Sequence, residues 1–213
     1  MMIIALACIS YSSMAQGSSS NNDSDTDVRN RIHFGVKAGL NSSNVYDSQD
    51  EEFNTDPKLG LAAGVFITVP IGKFLGVQPE LLFSQKGFKA SGQVLGGAYD
   101  FKRTTNYLDV PLFLTLKPIP VLTILAGPQY SYLMKRTDEF TVGTTDIVQQ
   151  EAFENENIRK NTLCFVGGID LNIKRIVIGA RAGWDLQNNN GDGTSSTPRY
   201  KNAWIQGTLG FRI

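Results

Sequence analysis

Neither sign of charge is in excess in this 213-residue chain: 20 Lys and Arg stand against 20 Asp and Glu, and the pI is near 6.6. That balance creates no long-range field toward a polyanion, so no nucleic-acid partner is expected. Cysteine is nearly absent. Cys8 falls in an N-terminal apolar segment and Cys164 stands alone beyond it, which excludes a disulfide framework. Histidine is reduced to His33. A P-loop, a dinucleotide fingerprint and a paired-cysteine metal site are all missing. So is a membrane helix. The most apolar stretch, "LDVPLFLTLKPIPVLTILAGP" from Leu108 to Pro128, is about as long as a bilayer-crossing helix. It also holds Pro111, Pro118, Pro120 and Pro128, with Asp109 and Lys117 among them. One interior proline costs ~3 kcal/mol or more by removing an amide donor and clashing with the preceding turn, so the stretch is not a helix.

Glycine, in contrast, is plentiful at 21 residues, and the 41% of hydrophobic residues fall in short runs, as in an all-β protein. The first 15 residues read as a signal peptide, with "IIALACI" as apolar core and Ser13 and Ala15 before cleavage at Gln16. The basic n-region is missing, and a lipoprotein reading through Cys8 is weaker because the apolar segment before it is too short. Residues 16–31, "QGSSSNNDSDTDVRNR", form a polar tether too poor in apolar groups to pack.

From Ile32 onward the chain alternates with period two, the mark of strands with one apolar face. Phe34, Val36, Ala38 and Leu40 alternate with His33, Gly35, Lys37 and Gly39. Further strands are expected at 58–69, 74–88, 108–116, 121–134, 161–173, 176–187 and 200–213. The opening stretch is therefore a β-hairpin turning at "KPIP", residues 117–120. Long polar connections at 42–57, 89–100, 135–159 and 188–199 alternate with short ones at 70–73, 117–120 and 174–175. Long loops on one rim and tight turns on the other predict an all-β, eight-stranded antiparallel up-and-down transmembrane β-barrel over 32–213.

A closed barrel satisfies its own backbone, so its outside can be apolar and its inside polar. The Leu, Val and Ile faces then meet lipid. Lys37, Glu80, Asp109, Asp170, Arg181 and Arg212 point into the lumen, where isolated charges are expensive, and are expected to pair with one another. Inward glycines make room for those long side chains. Among outward aromatics, Tyr130, Tyr132 and Trp184 lie toward the long loops and Phe34 and Phe211 toward the turns, as two interfacial girdles would. Pro79, Pro111 and Pro128 fall inside expected strands, and each should mark a bulge or a missing ladder bond that puts the faces beyond it out of phase.

No catalytic, cofactor-binding or metal residue is assigned. His33 reads as a solvated rim residue and Cys164 as a small apolar strand residue. "NNNGDGTSSTPR", Asn188 to Arg199, starts like a calcium loop but places Arg199 where the cage needs a glutamate. Acidic clusters at Asp47, Asp50, Glu51, Glu52 and Asp56, and at Glu151, Glu154 and Glu156, read as solvated loop charge.

The strings "VQPELLFSQKGF", "NYLDVPLFLTL", "LAGPQYSYL" and "KNAWIQGTLGFRI", with "FGVKAGLN" near the start, resemble the PorT-like outer-membrane β-barrel domain family of Bacteroidota. The resemblance covers Ile32 to Ile213, although the chain ends in Ile213 where such barrels usually carry an aromatic residue. It implies an eight-stranded outer-membrane barrel without an assigned activity; the founding member is associated with protein secretion and gliding. The expectation is a non-enzymatic integral protein of the outer membrane with a side-chain-filled lumen. Its partners would be the lipid bilayer, lipopolysaccharide and a secretion-system or periplasmic protein met at the loops or the periplasmic rim. A component of secretion, or a soluble lipocalin-like ligand-binding barrel with the faces reversed, is the alternative.

Overall fold

The computed structural model describes residues 31–47, 55–94, 97–142, 145–151, 159–189 and 200–213; the expected signal peptide and almost all of the tether lie outside them. The strands, in chain order, are β1 His33–Asp47, β2 Thr55–Pro70, β3 Leu75–Val94, β4 Gly97–Ile119, β5 Leu122–Val142, β6 Thr145–Glu151, β7 Asn161–Ile173, β8 Ile176–Asp185 and β9 Tyr200–Arg212. Eight of them close an antiparallel ring in the order β1-β2-β3-β4-β5-β7-β8-β9. The first strand meets the last from Gly35 opposite Arg212 to Asp47 opposite Tyr200. Strand β6 stands apart from the ring, paired with the far end of β5 from Arg136 to Val142.

Alternation fixes the faces. In β8, Val177, Gly179, Arg181, Gly183 and Asp185 are buried while Ile176, Ile178, Ala180, Ala182 and Trp184 are exposed. In β4 the contrast is sharper: Asp109 is 1% exposed, and Leu112 and Leu114 are 53% and 59% exposed. A soluble barrel cannot leave a continuous belt of leucine and isoleucine in water, so the lipocalin-like orientation is excluded. Among the described residues no helix is long and apolar enough to cross a membrane; the crossing elements are strands.

The prolines do not shift the phase. Register runs unchanged through Pro79 opposite Leu112, Pro111 opposite Gln129 and Pro128 opposite Phe165. The β3–β4 ladder skips Glu80 and Leu81, and the β4–β5 ladder skips Leu112 and Phe113. A lost amide thus opens the ladder locally without inserting a residue. The true irregularities lie at Pro57/Ala62, Asn106/Tyr107 and Leu116/Ile119.

The long connections need correction. β3 and β4 run on as a hairpin to Val94 and from Gly97, and β5 continues to Val142 before folding back as β6. β4 covers 23 residues, about 75 Å at ~3.3 Å per residue, whereas crossing the hydrocarbon takes a tilted strand only ~9–11 residues. β3, β4, β5 and β6 therefore raise a sheet beyond the loop-side rim. Both faces of such a sheet can be wet, so the hydrophobic alternation that marks strands vanishes there, and 89–100 and 135–159 read as loops.

At the opposite rim, Ile173 pairs with Ile176 across the two-residue turn Lys174-Arg175. Lys174 takes φ 53°, the left-handed region that costs a side-chain-bearing residue about 1–2 kcal/mol. Lys174→Gly is expected to stabilise the barrel by about 0.5–1 kcal/mol, read as a higher urea midpoint with unchanged slope.

Candidate functional site

Because the barrel turns its apolar faces outward, its polar chemistry collects in the lumen, and the strand register stacks it in layers. The turn-side layer is ionic. Lys37 of β1 and Arg181 of β8 both reach Glu80 of β3; Arg181 Nη2 lies 3.2 Å from Glu80 Oε1 and 3.1 Å from each carboxylate oxygen of Asp170 on β7. Gln78 Nε2 donates to Glu80 Oε1 at 2.8 Å, and Thr68 Oγ1 donates to Gln78 Oε1 at 2.8 Å. Arg181 Nη1 donates to Thr208 Oγ1 on β9 at 3.3 Å. One network therefore ties together walls on opposite sides of the barrel. Space for it comes from Gly179, where an added Cβ would fall 2.7 Å from Asp170 Oδ1 and 2.9 Å from Arg181 Nη1.

The middle layer mixes charge with apolar packing. Phe113, Leu125, Cys164, Val166 and Trp204 form a buried cluster inside the lumen. Lys86 is 1% exposed, 3.1 Å from Asp109 Oδ2, and its ammonium sits 3.7 Å from the centroid of Trp204 and 4.9 Å from that of Tyr107. A Cβ at Gly183 would strike the Trp204 ring at 2.4 Å, so that glycine sets the ring's place over Lys86. Asp185 accepts from the backbone N–H of Asn202 at 3.0 Å, from Asn189 Nδ2 at 3.2 Å and from the Cys164 thiol at 3.1 Å. Cys164 is thus a packed, hydrogen-bonded thiol.

The loop-side layer joins the lumen to the raised sheet. Val45, Phe88 and Tyr200 pack together with Ala90 and Phe101 against them. Arg103 forms a fork with Asp138, Nε to Oδ1 and Nη2 to Oδ2 both at 2.8 Å, and its Nη1 donates to the Tyr200 hydroxyl at 2.8 Å. Arg136 adds a 3.3 Å contact to Asp138. Burial alone would lower the Arg103 pKa, but the Asp138 bonds outweigh it and hold the guanidinium above its usual value. Burial also raises the Tyr200 phenol.

The six expected lumen charges divide accordingly. Lys37, Glu80, Asp170 and Arg181 meet in one network. Asp109 pairs with Lys86, which stands outside the set of six. Arg212 is 5% exposed, and its Nε and Nη2 have no hydrogen-bond partner among the described residues. Lys86, Lys117 and Asp185 sit on inward positions that period two already marks, whereas Arg103 and Asp138 lie in segments with no such signal. His33 is half-buried and lines a turn-side cavity, where a solvated residue was expected. Of the aromatics, Phe34, Tyr130, Trp184 and Phe211 are exposed on the outer face and Tyr132 is half-buried. Asn190 to Arg199 of the calcium-like loop, and Asp50, Glu51, Glu52, Glu154 and Glu156, lie outside the described residues. No metal-holding cluster of His, Cys, Asp and Glu occurs among the described residues.

A closed ring with an apolar exterior and an ionic interior defines an integral β-barrel of the outer membrane. The chain belongs to the family described as outer membrane protein beta-barrel domain, which matches residues 14–191. The protein is accordingly an outer-membrane protein in contact with the bilayer. No curated protein matches the chain in sequence. Among solved structures it is similar to the attachment invasion locus protein Ail of Yersinia pestis, with 12% identity over 85% of this chain and 98% of that one, at a TM-score of 0.46. It is also similar to Neisserial surface protein A, with 9% identity over 84% and 97% at 0.47. A third is OprG of Pseudomonas aeruginosa, with 13% identity over 87% and 97% at 0.40.

Proposed function

We propose that this outer-membrane barrel works without catalysis and without conducting solutes, through the sheet that β3, β4, β5 and β6 raise outside the cell. One observation carries this reading: Lys86 is buried inside the barrel between Asp109 and Trp204, which supports a lumen filled by side chains at that level, while the strands above it continue as sheet. The small width of an eight-stranded barrel supports it.

The outward face of that sheet carries both signs of charge. Asp56 lies opposite Lys89, Lys89 opposite Lys102 and Lys102 opposite Glu139 across four adjacent strands, beside a cleft of about 320 Å³. Such a row suits lipopolysaccharide, whose phosphates would meet the lysines. Two aromatic girdles, Tyr130, Tyr132 and Trp184 above and Phe34 and Phe211 below, would set the barrel's depth. The division into a signal at 1–15, a tether at 16–31 and a barrel from 32 belongs to the same reading. So does membership of the PorT-like group of Bacteroidota, which the quoted strings support. Of the partner classes, the external sheet favours a surface ligand over a secretion component at the periplasmic rim.

Single-channel recording in planar bilayers tests the closed lumen. Wild-type protein is expected to give no conductance steps, and Lys86→Ala with Trp204→Ala to give small ones. Regular steps from the wild type would sink the reading.

A further inference from the structure

Charge balances over the whole chain but not at the turn-side rim. Residues 31–40, 66–79, 111–126, 168–178 and 207–213, which make up the turn-side strand ends and the turns between them, contain a single acidic side chain, Asp170, and it is buried in the lumen. The same segments place Arg31, Lys73, Lys174 and Arg175 on the surface. None of these four has a carboxylate partner among the described residues. The opposite rim is mixed: Lys102 meets Glu139 there, and Arg103 and Arg136 meet Asp138.

The surroundings of these cations are apolar. The β2–β3 turn reads Ile71-Gly72-Lys73-Phe74 and the β7–β8 turn Ile173-Lys174-Arg175-Ile176, and every Ile and Phe in them is exposed. Turns that meet only water favour Gly, Pro, Asn, Asp and Ser, whereas exposed apolar groups rimmed by charge mark an interaction surface. Here the apolar shoulders continue the lipid-facing wall through Phe34 and Phe211. That continuity sets the level of the turns. Their Ile and Phe side chains end at the edge of the hydrocarbon, and the cations reach on to the plane of the lipid phosphates.

We propose that this rim is a docking surface for anionic phospholipid headgroups of the phosphatidylglycerol class, held by Lys73, Lys174 and Arg175 with Arg31 beside them. Three features coincide there: cations of one sign, no exposed acidic side chain to compete for them, and an apolar border already in contact with the bilayer. A zwitterionic headgroup carries its own ammonium and gains little from such a field, while a net anionic one gains from every cation. Each basic residue beside an anionic leaflet adds roughly fivefold in affinity. Tight turns of outer-membrane barrels face the periplasm, so the leaflet is the periplasmic one. The leaflet rests on the orientation proposed above; the headgroup preference does not.

The test uses the full-length protein in phosphatidylcholine vesicles and compares the association of spin-labelled phosphatidylglycerol with that of spin-labelled phosphatidylcholine. Phosphatidylglycerol is expected to be favoured several-fold at low salt, with the preference falling as salt rises. Lys73→Gln with Lys174→Gln and Arg175→Gln should remove the preference, and Lys73→Arg with Lys174→Arg should keep it. Lys89→Gln with Lys102→Gln, on the opposite rim, should also keep it. A wild type that does not distinguish the two lipids overturns the proposal, as does a preference that survives the triple glutamine change or disappears with the Lys89 and Lys102 changes. A preference that emerges only after residues 16–31 are removed overturns it too, because Asp23, Asp25 and Asp27 would then be the partners of the rim.

Discussion

Glu80→Ala is expected to destabilise the barrel by about 3–5 kcal/mol, the cost of leaving buried charge without its partner. Glu80 is 4% exposed and accepts from Lys37, Arg181 and Gln78, which reach it from different strands. Its removal strands Lys37 in the lumen, leaves Arg181 with Asp170 alone, and detaches β1 from β8 on the turn side. The loss should not be additive. Glu80→Leu and Asp170→Asn combined with Lys37→Met and Arg181→Met replaces the whole ionic layer by an uncharged one of similar volume, and such swaps are often neutral or stabilising. Urea unfolding in lipid vesicles, followed by the fluorescence of Trp184 and Trp204, measures both. A single-variant loss under about 1 kcal/mol would place the network in water, where exposed pairs contribute that little.

The second large effect lies on the other face. Leu114 is 59% exposed on the outer wall, about midway along the crossing part of β4. Leu114→Arg is expected to cost about 2–4 kcal/mol, because it puts a charge at the depth where the bilayer is driest. The same change at Ile173, 52% exposed beside the Lys174-Arg175 turn, should cost only about 0–1 kcal/mol, since that residue sits near the interface. A soluble barrel would show no such depth dependence. Equal effects at the two positions would contradict the membrane placement.

The parts of this fold that face two different solvents were the legible parts. Asp109 and Leu112 differ in burial because one points to the lumen and the other to lipid, and a chain that must satisfy both writes the difference at every second residue. That period survives Pro79, Pro111 and Pro128: the expected missing ladder bonds occur, but losing one amide does not change the residue count, so the phase does not shift. Where both faces of a strand meet water, the period has nothing to record. The outer ends of β3, β4 and β5 at 89–94, 97–100 and 135–142, and all of β6, therefore read as loops, and neither Arg103, in the unassigned stretch 101–107, nor Asp138 signals the fork between them.

The lumen was legible as a set of faces and not as a set of partners. Lys86, Lys117 and Asp185 stand on the expected inward positions, yet nothing along the chain says that Lys86 rather than Arg212 reaches Asp109. Which side chains meet across the lumen depends on strand tilt and on the stagger accumulated around the closed ring. Alternation carries neither quantity. Glu80 and Arg181 are 101 residues apart in sequence and 3.2 Å apart at their charged atoms because of that closure.

Orientation is tested most directly with a single cysteine at Leu112 or at Asp109, each in a Cys164→Ser background, labelled with a spin probe in nanodiscs. Relaxation of the probe by a lipid-soluble agent and by a water-soluble one is then compared. The Leu112 probe is expected to respond to the lipid-soluble agent alone, and the Asp109 probe to be shielded from it. A reversed pattern, with Asp109 reached from the lipid and Leu112 hidden, would contradict a barrel that wears its leucines outside.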